Sequence, residues 1–69
     1  MRISARNQLR GTVLSVEQGA VMAEVRIRLV GGEEVVAAVT KESVESLAIA
    51  VGDEVLAVIK STSVMVAKR

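Results

Sequence analysis

Three short stretches of the chain concentrate groups that could hold an anion. Ser4-Ala5-Arg6-Asn7-Gln8, Thr40-Lys41-Glu42-Ser43 and Lys60-Ser61-Thr62-Ser63 each mix hydroxyls with a cation or with the free backbone N–H groups of a helix start. A tetrahedral dianion presents four oxygens that only accept hydrogen bonds, so its site needs hydroxyl, amide, guanidinium and ammonium donors held in place. None of the three stretches needs a carboxylate at its centre. Singly, each has an ordinary structural account: Ser4 and Arg6 as a polar N-terminal arm, Thr40 as a helix N-cap, Lys60 as an edge-strand charge that discourages aggregation. Their combination points to a ligand. Glu42 and Glu45 stand three residues apart at a helix start, where acidic side chains favour the helix dipole, and are assigned no catalysis. Glu17, Glu24, Arg26, Arg28, Glu33 and Glu34 fall where solvated strand faces and turns would place them.

Composition narrows the chemistry further. The 69 residues are 51% apolar, yet include no Phe, Tyr, Trp, His, Cys or Pro. Without Cys or His there is no disulfide, no zinc or haem site of the usual kind, and no thiol nucleophile or imidazole base, so the chain is not expected to be an enzyme. A net charge of +1 and the missing aromatics argue against a nucleic-acid surface. No apolar run approaches the roughly 20 residues that span a membrane, and no secretory leader pattern opens the chain, which makes the cytoplasm the expected location. A single domain over residues 1–69 is also small for independent stability, because cores of this size rarely supply more than about 3–5 kcal/mol. With disulfides and structural metals excluded, association of copies is the remaining source of stability.

The elements that must position the donors follow from hydrophobic period. Val21, Ala23, Val25, Ile27 and Leu29 alternate with Met22, Glu24, Arg26 and Arg28, a strand with one wet face. Gly31-Gly32 then provides a turn and β-branched residues resume over Glu33 to Thr40, so the two runs form a hairpin. A weaker alternation over Gln8 to Val16, with Leu9, Gly11 and Val13 opposed to Thr12, Leu14 and Val16, predicts an earlier strand that ends at Gln18-Gly19. From Thr40 to Ala48 the apolar residues Val44, Leu47 and Ala48 recur at helical spacing, with Thr40 as the cap. Val51-Gly52-Asp53 is a turn, Glu54 to Lys60 a strand, and Val64 to Ala67 a last short strand. The order β-β-β-α-β-β is that of an all-β fold with one short helix, a five-stranded OB-type Greek-key barrel; an SH3-like or open meander sheet is the competing topology. Val35-Val36, Ala37-Ala38, Val55-Leu56 and Val58-Ile59 are apolar on both faces, which leaves a spare face for another subunit.

Several of these stretches together resemble one family. The run Ile3 to Gly11, the loop Glu17-Gln18-Gly19-Ala20-Val21, the segment Val39 to Val44, and Val51 to Val55 with Ile59 to Met65 are similar to the molbindins, small molybdate- and tungstate-binding proteins made of a single Mop domain. The resemblance implies an OB-type barrel, a homohexamer arranged as a trimer of dimers, and oxyanion sites between subunits. It places one class of site on Ser4, Arg6, Lys60 and Ser61 of one subunit with Thr40 and Ser43 of a neighbour. It places a second class near a threefold axis, around Gly19, Ala20 and Val21, where family members often carry Asn at the position of Met22. The ligand it implies is molybdate or tungstate, with no cofactor, storage or buffering in the cytoplasm as the role, and no nucleic-acid or membrane partner. The alternative from another class is an OB-type nucleic-acid or protein-interaction module.

Overall fold

The strict alternation over Ala23, Val25 and Ile27 organises the sheet, and these three side chains are its most regular buried row. The computed structural model describes residues 5–69, so Ser4 lies outside the described residues. Strand β1 runs Asn7–Gln18, β2 Met22–Leu29 and β3 Glu34–Thr40. Helix α1 covers Lys41–Ser46, β4 covers Glu54–Ile59, and one 3-10 turn follows at Ser61–Ser63. All ladders are antiparallel and the sheet order is β3-β2-β1-β4. Three consecutive strands form a meander and the fourth returns beside the first, which is a Greek key. The expectation of a mostly-β chain with one short helix is met.

The five-strand count is not. Val64 to Ala67, expected as a strand, forms no ladder, and Met65 and Val66 are 91% and 94% exposed. Among the described residues four strands curl into a half-barrel whose concave side holds Val13, Ala23, Val25, Ile27, Val44 and Ala57, with Val16, Leu29, Ala37, Val39, Ile49 and Val55 packed around them. β3 and β4 are the two free edges. A fifth strand would have to lie along that seam, and in this chain the residues after Ser63 do not reach it.

β1 serves both halves of the curl because it bends. Its first six residues pair with β4 and its later ones with β2, and the β1–β2 register slips between Val13 and Ser15, a bulge that leaves Leu14 without a partner in that ladder. The extra residue reverses side-chain parity, so Val16 joins Val13 on the core side rather than opposing it as simple alternation predicts. The turn before β4 locks onto the same point: Gly52 N–H donates to Val13 O and Val13 N–H to Asp53 O, each at 2.9 Å. At Gly11 β1 leaves no room for a side chain against β2. A Cβ there would sit 2.6 Å from both Arg28 O and Ile27 Cγ2, so the curl requires glycine.

Helix α1 is set by its ends. Thr40 caps the start, its hydroxyl accepting from Ser43 N–H. At the other end Ala48 N–H donates to Glu45 O and Ile49 N–H to Val44 O, the paired bonds of a Schellman motif. That motif puts Ala48 at φ 52, where glycine is the usual residue. The hairpin between β2 and β3 also differs from a bare Gly-Gly turn: it spans Val30 to Glu33, Leu29 N–H donates to Glu33 O, and only Gly32 takes positive φ.

Two substitutions should move stability in opposite directions. Gly11→Ala should cost about 1–3 kcal/mol by overpacking against β2, and Ala48→Gly should add up to about 1 kcal/mol by relieving the left-handed backbone. Urea unfolding midpoints, compared at one protein concentration, check both.

Candidate oxyanion site

Arg6 and Lys60 are brought to one corner of the sheet by the β1–β4 ladder. Asn7 pairs with Ile59 in register, so the residue before one and the residue after the other flank the last rung. Two amides fix this corner: Asn7 Nδ2 donates to Ile59 O and Gln8 Nε2 donates to Ala5 O, both at 3.1 Å. The Asn7 and Gln8 side chains thus spend donors on the backbone. Arg6 and Lys60 do not, since both are exposed and neither forms an ion pair among the described residues. By contrast Arg26 and Arg28 share the carboxylate of Glu34, at 3.5 and 3.3 Å. The Ser61 hydroxyl lies beside Lys60 in the 3-10 turn, exposed, and makes no hydrogen bond among the described residues. The corner therefore offers a guanidinium, an ammonium and a hydroxyl with no counter-charge of its own, which is how an anion site differs from a structural ion pair.

Thr40 and Ser43 form a second donor point. Their hydroxyl oxygens are 2.7 Å apart, and Ser43 N–H donates to Thr40 Oγ1 at 3.1 Å. Two hydroxyls carry two protons and one is used between them, so whichever donates, the pair retains one O–H for an outside acceptor. The helix start is less open than expected, because Lys41 N–H is committed to Val21 O at 2.8 Å. That same bond joins the helix start to the β1–β2 turn, where Met22 pairs with Thr40. In the turn Gly19 N–H donates to Met22 O at 2.8 Å, whereas the N–H groups of Ala20 and Val21 make no hydrogen bond among the described residues. Next to it lies a cleft of about 360 Å³ that carries Glu17 and Glu24, which face each other across the β1–β2 ladder. Carboxylates so placed repel an anion from that side.

The chain thus assembles the candidate donors in two groups. Arg6, Lys60 and Ser61 gather at the start of β1; Thr40, Ser43, Ala20 and Val21 gather at its end, eleven residues further along the strand, a contour of roughly 36 Å. Among the described residues no hydrogen bond connects the groups. Ser4 lies outside the described residues. Sequence reading did not assign Asn7 and Gln8 to holding the corner, and only the register of β1 with β4 reveals it. Among the described residues no cluster of His, Cys, Asp or Glu could hold a metal ion, and no helix is long and apolar enough to cross a membrane.

Residues 3–66 match the model of the TOBE domain. The chain is 48% identical over 66 residues to molybdenum-pterin-binding protein 3 of Clostridium pasteurianum, with 96% of this chain and 97% of that protein covered. Its fold superposes with a TM-score of 0.93 on the molybdate-binding protein of Sporomusa ovata, 43% identical, with 99% and 100% of the two chains covered. It also superposes, with a TM-score of 0.83 and 51% identity, on the cytoplasmic molybdate-binding protein ModG with molybdate bound, over 88% of this chain and 43% of that one. The chain belongs to the TOBE-domain family and, within it, to the Mop proteins.

The capping geometry gives a direct check on the Thr40–Ser43 pair. Thr40→Ala should cost about 1 kcal/mol as a lost N-cap, and Thr40→Ser should restore most of it. Thermal unfolding followed by circular dichroism distinguishes the two.

Proposed function

We propose that this chain binds molybdate or tungstate reversibly, at sites completed between copies of itself, and serves to store and buffer the anion in the cytoplasm. The observation that carries the reading is the uncompensated corner of Arg6, Lys60 and Ser61 together with a Thr40–Ser43 pair that keeps one spare donor at the far end of β1. Each group alone is half a tetrahedral site. A second copy that sets its Thr40–Ser43 end against the first copy's corner supplies the other half, with Ser4 adding a further hydroxyl. The relatives' molybdate and molybdenum-pterin binding supports the choice of anion. We assign the chain no catalysis, and take the assembly to be a homohexamer built as a trimer of dimers. The Ala20 and Val21 amides form a second, weaker class of site on the threefold axis.

Selectivity follows from proton count and size. A site made of donors suits an anion that is fully deprotonated at neutral pH, and disfavours phosphate, part of which carries a proton that would need an acceptor. Sulfate carries the right charge and is excluded by its smaller radius. Calorimetric titration with molybdate, tungstate, sulfate and phosphate tests this, and equal heats and affinities for sulfate and molybdate would sink it. Arg6→Ala and Lys60→Ala should each weaken molybdate binding roughly 10- to 100-fold, the loss of a charge-assisted hydrogen bond of about 1.5–3 kcal/mol. Salt-dependent binding of short oligonucleotides with no anion binding would favour the interaction-module reading instead.

A further inference from the structure

Thioethers are the readily oxidised side chains of this protein, which has three Met, no Cys and no Trp. Two of the three lie among the described residues, in different settings. Met65 is 91% exposed and joins no ladder. Met22, 48% exposed, is the first residue of β2 and stands opposite Thr40 in the β2–β3 ladder. The bond from Lys41 N–H to Val21 O, at 2.8 Å, marks Met22 and Thr40 as a pair that exchanges no backbone hydrogen bonds of its own. In such pairs the Cα atoms are about 4.5 Å apart, and side chains lie closer than in the alternate rungs. Met22 also lines the cleft of about 360 Å³ beside the β1–β2 turn, which gives a small solute access to it. Across from it, the Thr40 and Ser43 hydroxyl oxygens are 2.7 Å apart and keep one O–H for an outside acceptor. A thioether sulfur accepts hydrogen bonds weakly and leaves that proton free. A sulfoxide oxygen is polar and accepts strongly.

We infer that Met22 is an oxidation site that controls the Thr40–Ser43 half of the oxyanion site: as the sulfoxide it accepts the spare O–H of that pair and withdraws a donor from the anion. The step is oxygen-atom transfer from a hydroperoxide to sulfur. With hydrogen peroxide, the O–O bond breaks, an S–O bond forms, the sulfur gives up two electrons, and water leaves. The chain's net charge does not change. The new oxygen carries partial negative charge and no proton, so beside Thr40 it both takes the hydrogen bond and repels a dianion. Reduced Met22 leaves the donor open and oxidised Met22 occupies it. Met65 offers the same sulfur without a hydroxyl pair across a ladder, so its oxidation leaves binding alone. The inference rests on the proposed role of Thr40 and Ser43 as anion donors and adds a control on them.

The full chain is treated with hydrogen peroxide, the peroxide is removed, and peptide mass mapping assigns each added oxygen to its methionine. Molybdate binding is titrated calorimetrically before and after. Oxidation of Met22 should weaken binding roughly 10-fold, as expected for one lost hydrogen bond to a charged group, and methionine sulfoxide reductases should restore it. Met22→Leu should bind molybdate like the parent and keep its affinity through peroxide, whereas Met65→Leu should stay sensitive. Unchanged affinity after full conversion of Met22, a peroxide-induced loss that persists in Met22→Leu, or a loss that accompanies collapse of the folded circular dichroism spectrum overturns the inference and leaves the oxyanion reading standing. A Met22 that stays unreacted after prolonged exposure has converted Met65 overturns it as well. A parent chain that binds no molybdate before treatment overturns the oxyanion reading itself, and the inference with it.

Discussion

The buried core among the described residues consists of Ala5, Val13, Ala23, Val25, Ile27, Val44 and Ala57, and no side chain in it is larger than isoleucine. Small aliphatic residues let strands approach closely, and β1 and β2 do so at Gly11. They also bury little area each, and burial contributes only about 25 cal/mol per Å². A chain built this way reaches the limit of what one copy can bury before its barrel is closed. The seam between β3 and β4 is open, and the outward-facing Val36, Leu56 and Val58 are each more than a third exposed.

The same limit shapes the chemistry. The chain has no Cys, His or aromatic side chain, and its candidate anion donors sit in two places that one copy does not bring together. Arg26 and Arg28 neutralise Glu34 on the open face of the sheet and are spent there. Arg6 and Lys60 stand just beyond the last rung of the β1–β4 ladder, and neither forms an ion pair among the described residues. On the proposed function, stability and ligand binding would make one demand, a second copy, which covers apolar edges and completes half-sites. An anion held between two copies adds its binding energy to their association, because a ligand that binds only the assembled state shifts assembly by mass action.

How far the sequence could be read depended on how local each signal was. The Ala23–Val25–Ile27 row, the Thr40 cap and the element order of three strands, a short helix and a further strand rest on alternation and capping residues that act within a few positions, and the structure has them where those signals stand. The bulge at Leu14 left no mark beyond a weak alternation, because which side Val16 faces is decided by a cross-strand slip and by a turn forty residues away. Ala48 in a left-handed cap runs against propensity and could not be read from composition. The last strand misled for the opposite reason. Val64 to Ala67 has the right residues for a strand, but a strand needs an edge to pair with, and among the described residues the segment joins none. The donor clusters were legible as chemistry; that Asn7 and Gln8 serve the backbone, and that the clusters sit at opposite ends of β1, needed the register.

If one copy holds half-sites and only an assembly holds the anion, anion occupancy must follow oligomeric state. Native mass spectrometry of the chain across a dilution series, with molybdate present at fixed concentration, measures this directly by resolving anion occupancy for each oligomeric species. The account predicts molybdate on the multimers, none on the monomer, and multimers that persist to lower protein concentration when the anion is present. Monomers that carry molybdate with the same affinity as the multimers would contradict it.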